Sequence, residues 1–509
     1  MNLERESGIL LHPTCLPGDY GVGEMGPDAR RWIDALSAMG QRLWQILPHG
    51  PTGYGDSPYQ AASTFAGNPL WISLEELVAD GLLDPARLTS FPDLPRSTVD
   101  FGPVIEARHA LYATVCRTFG RRASPEMKAA WEQYCASQSH WLDDFALYVA
   151  IKAAHQMQPW TVWPPPLALR QPTALREAAR RYRTTIRNVK ILQFLFDRQW
   201  SRLRTYAHHR SVRVIGDIPI FVAHDSADVW AHPDLFFLDG KGHPLVIAGV
   251  PPDYFSATGQ RWGNPLYRWD IHQHAGYRWW IQRLARIFEV VDVVRIDHFR
   301  GFEAYWEVPA HETTALNGRW VAGPGEDLFD ALINALGPLP IIAEDLGVIT
   351  AAVDALRDKY HFPGMRILQF AFSRADGTTR FRPDDIPANC VVYTGTHDND
   401  TTCGWCWGRA GTSSTRTQAE IEAERRAVLD YVRTDGREIH WDLIAVAANS
   451  PANTAIYPLQ DVLGLDSSAR MNVPGRGRGN WRWRFQWDQF EPACSERLAD
   501  ITQWSKRDQ

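Results

Sequence analysis

No stretch of this 509-residue chain approaches the roughly 20 apolar residues that a membrane-spanning helix needs, which excludes a helical membrane protein. The start, Met1-Asn2-Leu3-Glu4-Arg5-Glu6, is charged, and the apolar run that follows at 9–11 is too short for the core of a signal peptide. Cysteine is scarce and odd in number, seven in all, so a disulfide framework is not expected. With no export signal, reduced thiols and a cytoplasmic address are the expectation. An excess of one charge is lacking too. A net charge of -6, with acids and bases scattered throughout, gives no footprint for nucleic acid or an anionic membrane and argues against a polyanionic substrate. There is no GxGxxG or P-loop, no HExxH, no internal repeat and no low-complexity tract.

Aromatics, in contrast, are plentiful. Twenty-two tryptophans and 12% aromatic residues supply large flat apolar faces. Such faces suit the C–H face of a sugar ring or, equally, the packing of a tryptophan-rich core.

Short apolar runs rich in Val and Ile recur, most followed by a stretch of helical periodicity, the alternation of a parallel βα barrel. Eight candidate strands are 9–16, 42–48, 212–221, 290–299, 304–309, 340–346, 365–372 and 390–396. Helices announce themselves by caps and stripes. Pro27 opens one with Trp32, Leu36 and Met39 on one face, Thr417 to Glu420 is a capping box, and 277–288 and 328–336 read likewise. More than 150 residues separate the second and third strand candidates, too many for one crossover. A mainly helical insertion subdomain is therefore expected at 84–205, its arginine-rich part (176–187) a solvated helix face. The expected whole is one catalytic (β/α)8 barrel over 1–509, with a lid or acceptor-side loop at 240–275 and an insertion plus the final barrel elements at 400–485. No separate C-terminal β-sandwich domain is expected.

In such a barrel the active site gathers at the C-terminal strand ends, so acids that close apolar runs are candidates. Asp217 closes one; Arg295, Asp297 and His298 another; Glu344 a third; His397 and Asp398 a fourth. Residues two apart in a strand share a face, which sets the Arg295 guanidinium beside Asp297 and favours its ionised form. Burial of Glu344 would hold its proton. Two carboxyls in such unlike states equip a site for glycoside cleavage with retention. A divalent metal held by Asp297-His298 and His397-Asp398 is the competing reading, and strand-end ion pairs or helix caps are the structural one.

At these residues the sequence closely resembles the 4-α-glucanotransferases called amylomaltases or disproportionating enzymes, glycoside hydrolase family 77, relatives of the α-amylases. The resemblance spans essentially the whole chain. Its motifs include His12-Pro13-Thr14-Cys15-Leu16-Pro17-Gly18, Gly53-Tyr54-Gly55-Asp56-Ser57-Pro58-Tyr59-Gln60, Gly259-Gln260-Arg261-Trp262-Gly263-Asn264-Pro265, the 295–302 block, Ala343-Glu344-Asp345-Leu346-Gly347, Thr396-His397-Asp398-Asn399-Asp400 and Arg470-Met471-Asn472-Val473-Pro474-Gly475. It implies Asp297 as nucleophile, Glu344 as general acid and base, and Asp398 as third carboxylate. It further implies Asp217, Arg295, His298 and His397 as support around the reacting ring, Tyr59 as the platform beneath it, and Gln260 and Trp262 on the acceptor side. Substrates implied are α-1,4-glucans and malto-oligosaccharides, with glucose as an acceptor and no cofactor or metal.

Residues 251–262 are the expected lid that disfavours water. A hydrolase using the same three acids, or a noncatalytic glucan binder, is the rival reading. Position 15 is Cys where the family usually has Ser, and Cys403-Gly404-Trp405-Cys406 is a CxxC that reads either as two unpaired thiols or as an oxidation-sensitive pair.

Overall fold

The structure, a computed structural model, describes residues 4–252, 256, 258–373, 381–411 and 416–508. Its strands are, in chain order, β1 (Glu6–Leu10), β2 (Leu43–Gln45), β3 (Arg213–Pro219), β4 (Val246–Val250), β5 (Gln260–Pro265) and β6 (Val293–Asp297). They continue with β7 (Ala304–Pro309), β8 (Arg319–Ala322), β9 (Ile341–Ala343), β10 (Gly364–Ile367), β11 (Cys390–Tyr393) and β12 (Thr454–Pro458).

Eight of them run parallel in the order β10-β11-β12-β1-β2-β3-β6-β9. The β9–β10 seam is joined by two bonds: the amide of Ala343 donates to the carbonyl of Pro363 (2.9 Å), and that of Met365 to Oδ1 of Asp345 (2.7 Å). The sheet is thus a (β/α)8 barrel, as expected, with its strands almost wholly buried.

One expected barrel strand is misplaced. Residues 304–309 form β7, which belongs to a second, antiparallel sheet of order β5-β4-β7-β8, and the eighth barrel strand is β12 instead. A short apolar run does not reveal whether its neighbours will be parallel or antiparallel. In β7 the alternation Tyr305 buried, Trp306 half-buried, Glu307 buried also departs from the continuous burial of a barrel strand. The 251–262 segment is corrected in part: Gln260 and Trp262 lie on β5 rather than in a loop, while 253–255 and 257 fall outside the described residues.

The helices follow their signals. Pro27 is the first residue of the helix Pro27–Ala38, which buries Trp32, Ile33 and Leu36, and Gly40 beyond it takes φ 70°, a left-handed conformation natural to glycine. Both halves of the Thr417–Glu420 capping box form at the head of Gln418–Val432. Between β2 and β3 lie the helices Phe101–Arg122, Pro125–Ser137, Ser139–Ala154, Pro172–Arg181 and Arg183–His209. The last of these buries Ile191, Phe194, Leu195, Trp200 and Leu203, whereas Arg176, Arg180, Arg181 and Arg183 point to solvent. Among the described residues no helix is long and apolar enough to cross a membrane.

The chain ends are clasped to the barrel. Fully buried Arg507 donates to the carbonyls of Glu6, Ala448, Ser450, Ala452 and Asn453 at 2.7–3.2 Å, tying the C-terminus to β1 and to the entry of β12. Burial lowers its pKa to about 10, still far above neutrality. Replacing it strands several carbonyls away from water. Arg507→Leu is expected to cost about 2–4 kcal/mol in urea unfolding followed by circular dichroism.

Candidate active site

Strand register sets the first half of the site. β3 and β6 pair so that Asp217 lies opposite Arg295 and Pro219 opposite Asp297. Arg295 therefore faces two carboxylates: Nη1 donates to both oxygens of Asp217 (2.9 and 2.7 Å) and Nη2 to Oδ1 of Asp297 (3.0 Å). Its remaining donor, Nε, meets the thioether sulfur of Met365 on β10 at 3.3 Å. The planar fork of Arg makes this three-way contact possible; a lysine could not span it. Asp217 is fully buried and also accepts from Tyr59 Oη (2.8 Å). Burial raises its pKa, against the pull of Arg295.

Glu344 follows β9, and its amide donates to the carbonyl of Ile296 on β6 (3.1 Å). Its carboxyl accepts two backbone N–H groups, from His298 at 2.7 Å and Leu346 at 2.8 Å. Even so, burial and then the charge of Asp297 push its pKa up to about 8. His298 has φ 57° and ψ 47°, a left-handed conformation uncommon for a non-glycine residue, and from it donates its amide to Glu344. Its ring meets Trp262 edge to face at 4.8 Å, and Trp262 Nε1 donates to Gln260 Oε1 at 3.2 Å. Burial, then Arg300, lowers the His298 imidazole to about 3, so it is neutral, with Nε2 lacking a hydrogen-bond partner among the described residues.

The third wall comes from the turn after β11. His397 stacks on Tyr59 at 5.0 Å and 17°, with Trp481 packed against both rings at 5.9 Å. Half-exposed Asp398 accepts from Asn472 Nδ2 at 2.6 Å. Two open clefts flank this stack, one lined by Tyr59 and Asp217, the other by His397 and Asp400.

The ten residues singled out from the sequence thus assemble as two connected groups. Asp217, Arg295, Asp297, Tyr59, His397 and Asp398 form one; Glu344, His298, Trp262 and Gln260 form the other; the electrostatic coupling of Glu344 to Asp297 joins them. Sequence reasoning assigned no role to Met365 or Asn472, and expected the Gly/Arg loop that ends at Trp481 to lie near the substrate. Asn472 sits in a quoted motif and Trp481 closes a Gly/Arg loop, whereas nothing near Met365 signals an arginine partner seventy residues away.

Among the described residues no group of three His, Cys, Asp or Glu is arranged to hold a metal ion. Cys403 and Cys406 are free thiols on the short helix Thr402–Trp407, and burial raises them to about 12 and about 11. Cys15 is buried with its sulfur 3.6 Å from that of Met471.

The model of the family described as 4-alpha-glucanotransferase, glycoside hydrolase family 77, matches residues 11–489. The chain is 48% identical to the 4-alpha-glucanotransferase of Thermus thermophilus over 100% of both proteins. It is 43% identical to the chloroplastic/amyloplastic 4-alpha-glucanotransferase of Solanum tuberosum, over 93% of this chain and 81% of that one. Among solved structures it superposes on the amylomaltase from Streptococcus agalactiae in complex with acarbose with a TM-score of 0.93 and 34% identity, covering 99% of this chain and 100% of that one.

The Arg295 bridge makes two variants diagnostic. Arg295→Leu leaves Asp217 buried without its counter-charge and is expected to destabilise the fold by about 3–5 kcal/mol. Tyr59→Phe removes one neutral donor and should cost about 1 kcal/mol. Chemical denaturation of both, side by side, checks the order.

Proposed function

The chain belongs to the 4-α-glucanotransferases of glycoside hydrolase family 77 and transfers segments of α-1,4-glucans, and from that premise we propose how its own residues share the work. The reading rests on one observation: two carboxyls in unlike environments, Asp297 against a guanidinium and Glu344 buried with its pKa up at about 8.

Asp297 is the nucleophile. Glu344, neutral at pH 7, protonates the leaving glycosidic oxygen while Asp297 captures the anomeric carbon. Asp217 and Tyr59 hold Arg295, and Arg295 holds the nucleophile in line. Once Asp297 is esterified its charge is gone, and with it one of the two causes that raise the pKa of Glu344. Glu344, left ionised by giving its proton to the leaving oxygen, is then more readily kept in that form and serves as base, taking the proton of the incoming sugar's 4-hydroxyl. The same carboxyl is thus acid in the first step and base in the second because the first step changes its neighbour's charge.

Asp398, half-exposed and oriented by Asn472, is placed to bond ring hydroxyls as the sugar flattens toward the oxocarbenium ion. The Tyr59–His397–Trp481 stack forms the aromatic side of the reacting ring's pocket, and Gln260 and Trp262 take the acceptor side together with His298. Glucose is among the acceptors in this reading, since the second step asks only for a 4-hydroxyl. A cytoplasmic location belongs to it as well, supported by cysteines that form no disulfide among the described residues.

Incubation of the purified protein with maltotriose alone, followed by chromatography, should give glucose together with chains longer than the substrate. Glucose and maltose only would mean that water is the acceptor. Asp297→Asn should lower turnover by at least about 10³-fold while maltotriose still binds. The rate of the parent should fall as pH rises through about 8, as free enzyme loses the Glu344 proton that the first step needs. A rate that held level to pH 9.5 (about 1.5 pH units past that midpoint) would remove Glu344 from the role of acid.

A further inference from the structure

The reaction as derived leaves one aromatic surface at the mouth of the barrel without a role. The antiparallel sheet β5-β4-β7-β8 is made from the two loops that follow β3 and β6, so it stands on the catalytic face. β8 is its outer edge strand and carries Trp320, whose ring is 41% exposed. Thirteen of the twenty-two tryptophans are buried, and Trp32, Trp44, Trp71, Trp160, Trp230 and Trp280 fully so.

Trp320 is nonetheless held firmly. The guanidinium carbon of Arg300 lies 3.8 Å from its ring centroid, and Trp306, its cross-strand partner, meets it edge to face at 5.2 Å and 70°. Arg300 is fixed in turn, donating from Nη1 to the carbonyl of Val348 and from Nε to that of Ala304. A ring braced from behind and along one edge presents its free surface with little further ordering to lose on binding.

Its bracing ties it to the reaction centre. Arg300 lies on the turn Phe299–Phe302, directly after Asp297 and His298, and Val348 stands four residues after Glu344. The amide of Phe299 donates to the carbonyl of Glu344 at 3.1 Å, which ties the two loops together. Four residues reach at most about 14 Å, which keeps Trp320 within a few sugar lengths of the general acid. Across the sheet, on β5, Trp262 packs on His298; three strand spacings, about 14 Å, separate the two edges.

The surroundings favour a sugar over a protein partner. The polar group at the ring itself is the Arg300 guanidinium, while Arg319, next to Trp320 in the strand, points to the opposite face of the sheet, where it is ion-paired with Glu307 at 2.7 Å.

We propose that Trp320, braced by Arg300, is an auxiliary platform for the distal glucosyl residues of a long α-glucan acceptor, beyond the residues that touch the reacting ring. The side follows from Glu344, which serves the oxygen shared with leaving group and acceptor, and the proposal rests on that assignment.

The test compares acceptors of two lengths with one donor. Trp320→Leu keeps an apolar contact for Arg300 but offers no flat face; Trp320→Tyr restores one. For Trp320→Leu, KM for maltoheptaose as acceptor should rise about tenfold relative to KM for glucose, and Trp320→Tyr should recover most of that loss. Equal rises for both acceptors would mean that Trp320 acts only by holding the Arg300 turn, and no rise for either would mean that no glucan rests there. A rise seen only when the long chain is the donor would move the platform to the other side of the cut. Each of these three overturns the proposal. Loss of the Glu344 assignment itself would show separately, in the pH profile of the parent.

Discussion

The guanidinium of Arg295 is the contact on which the site depends. It lies between two barrel strands, and its three directions of donation go to three different strands: Asp217 on β3, Asp297 on its own β6, and Met365 on β10. Barrel geometry and chemistry are therefore one constraint. A slip of one residue in the β3–β6 register would turn Asp217 away from Arg295 and leave its buried charge unpaired. The thioether at the third position is chemically apt: it accepts weakly, so Nε is not orphaned, and it adds no third negative charge to compete for the guanidinium.

How much of this could be read beforehand varies with the kind of signal. The acids were legible because they end apolar runs in a fold whose function sits at strand ends, and Arg295 beside Asp297 followed from the two-residue period of a strand. The eighth barrel strand was not legible. β12 is only Thr454–Pro458, and its approach, Ser450-Pro451-Ala452-Asn453, reads as a turn. What makes it a strand is tertiary: β1 and β11 on its two sides, and the Arg507 clasp at its entry. Residues 304–309 failed in the opposite direction, because a good strand pattern says nothing about which sheet will take it. The left-handed backbone of His298 had no sequence signal either, since no glycine or asparagine marks the position.

The tryptophan excess had two readings, and the structure divides the residues between them. Six of the rings are fully buried and pack against other aromatic rings, as Trp71 does with Trp200 and Phe196. A smaller group, Trp262, Trp481 and Trp320, lies at or near the catalytic mouth, each against a histidine or arginine that fixes its ring. Composition could not separate these groups because burial is a property of the fold, not of the count.

The neutrality of His298 completes the electrostatic logic. The transition state of glycoside exchange carries positive charge on the sugar ring, so a cationic imidazole beside it would oppose the reaction. Burial holds that ring neutral down to a pH of about 3, and the amide of the same residue donates to Glu344. The guanidinium of Arg295 is bonded to Asp217 and Asp297 together, so its charge is balanced before any sugar arrives. In the proposed mechanism, what remains to face the flattened ring is Asp297 on one side and Asp398 on another, negative groups where positive charge develops. Glu344 meanwhile carries the proton that its burial has kept.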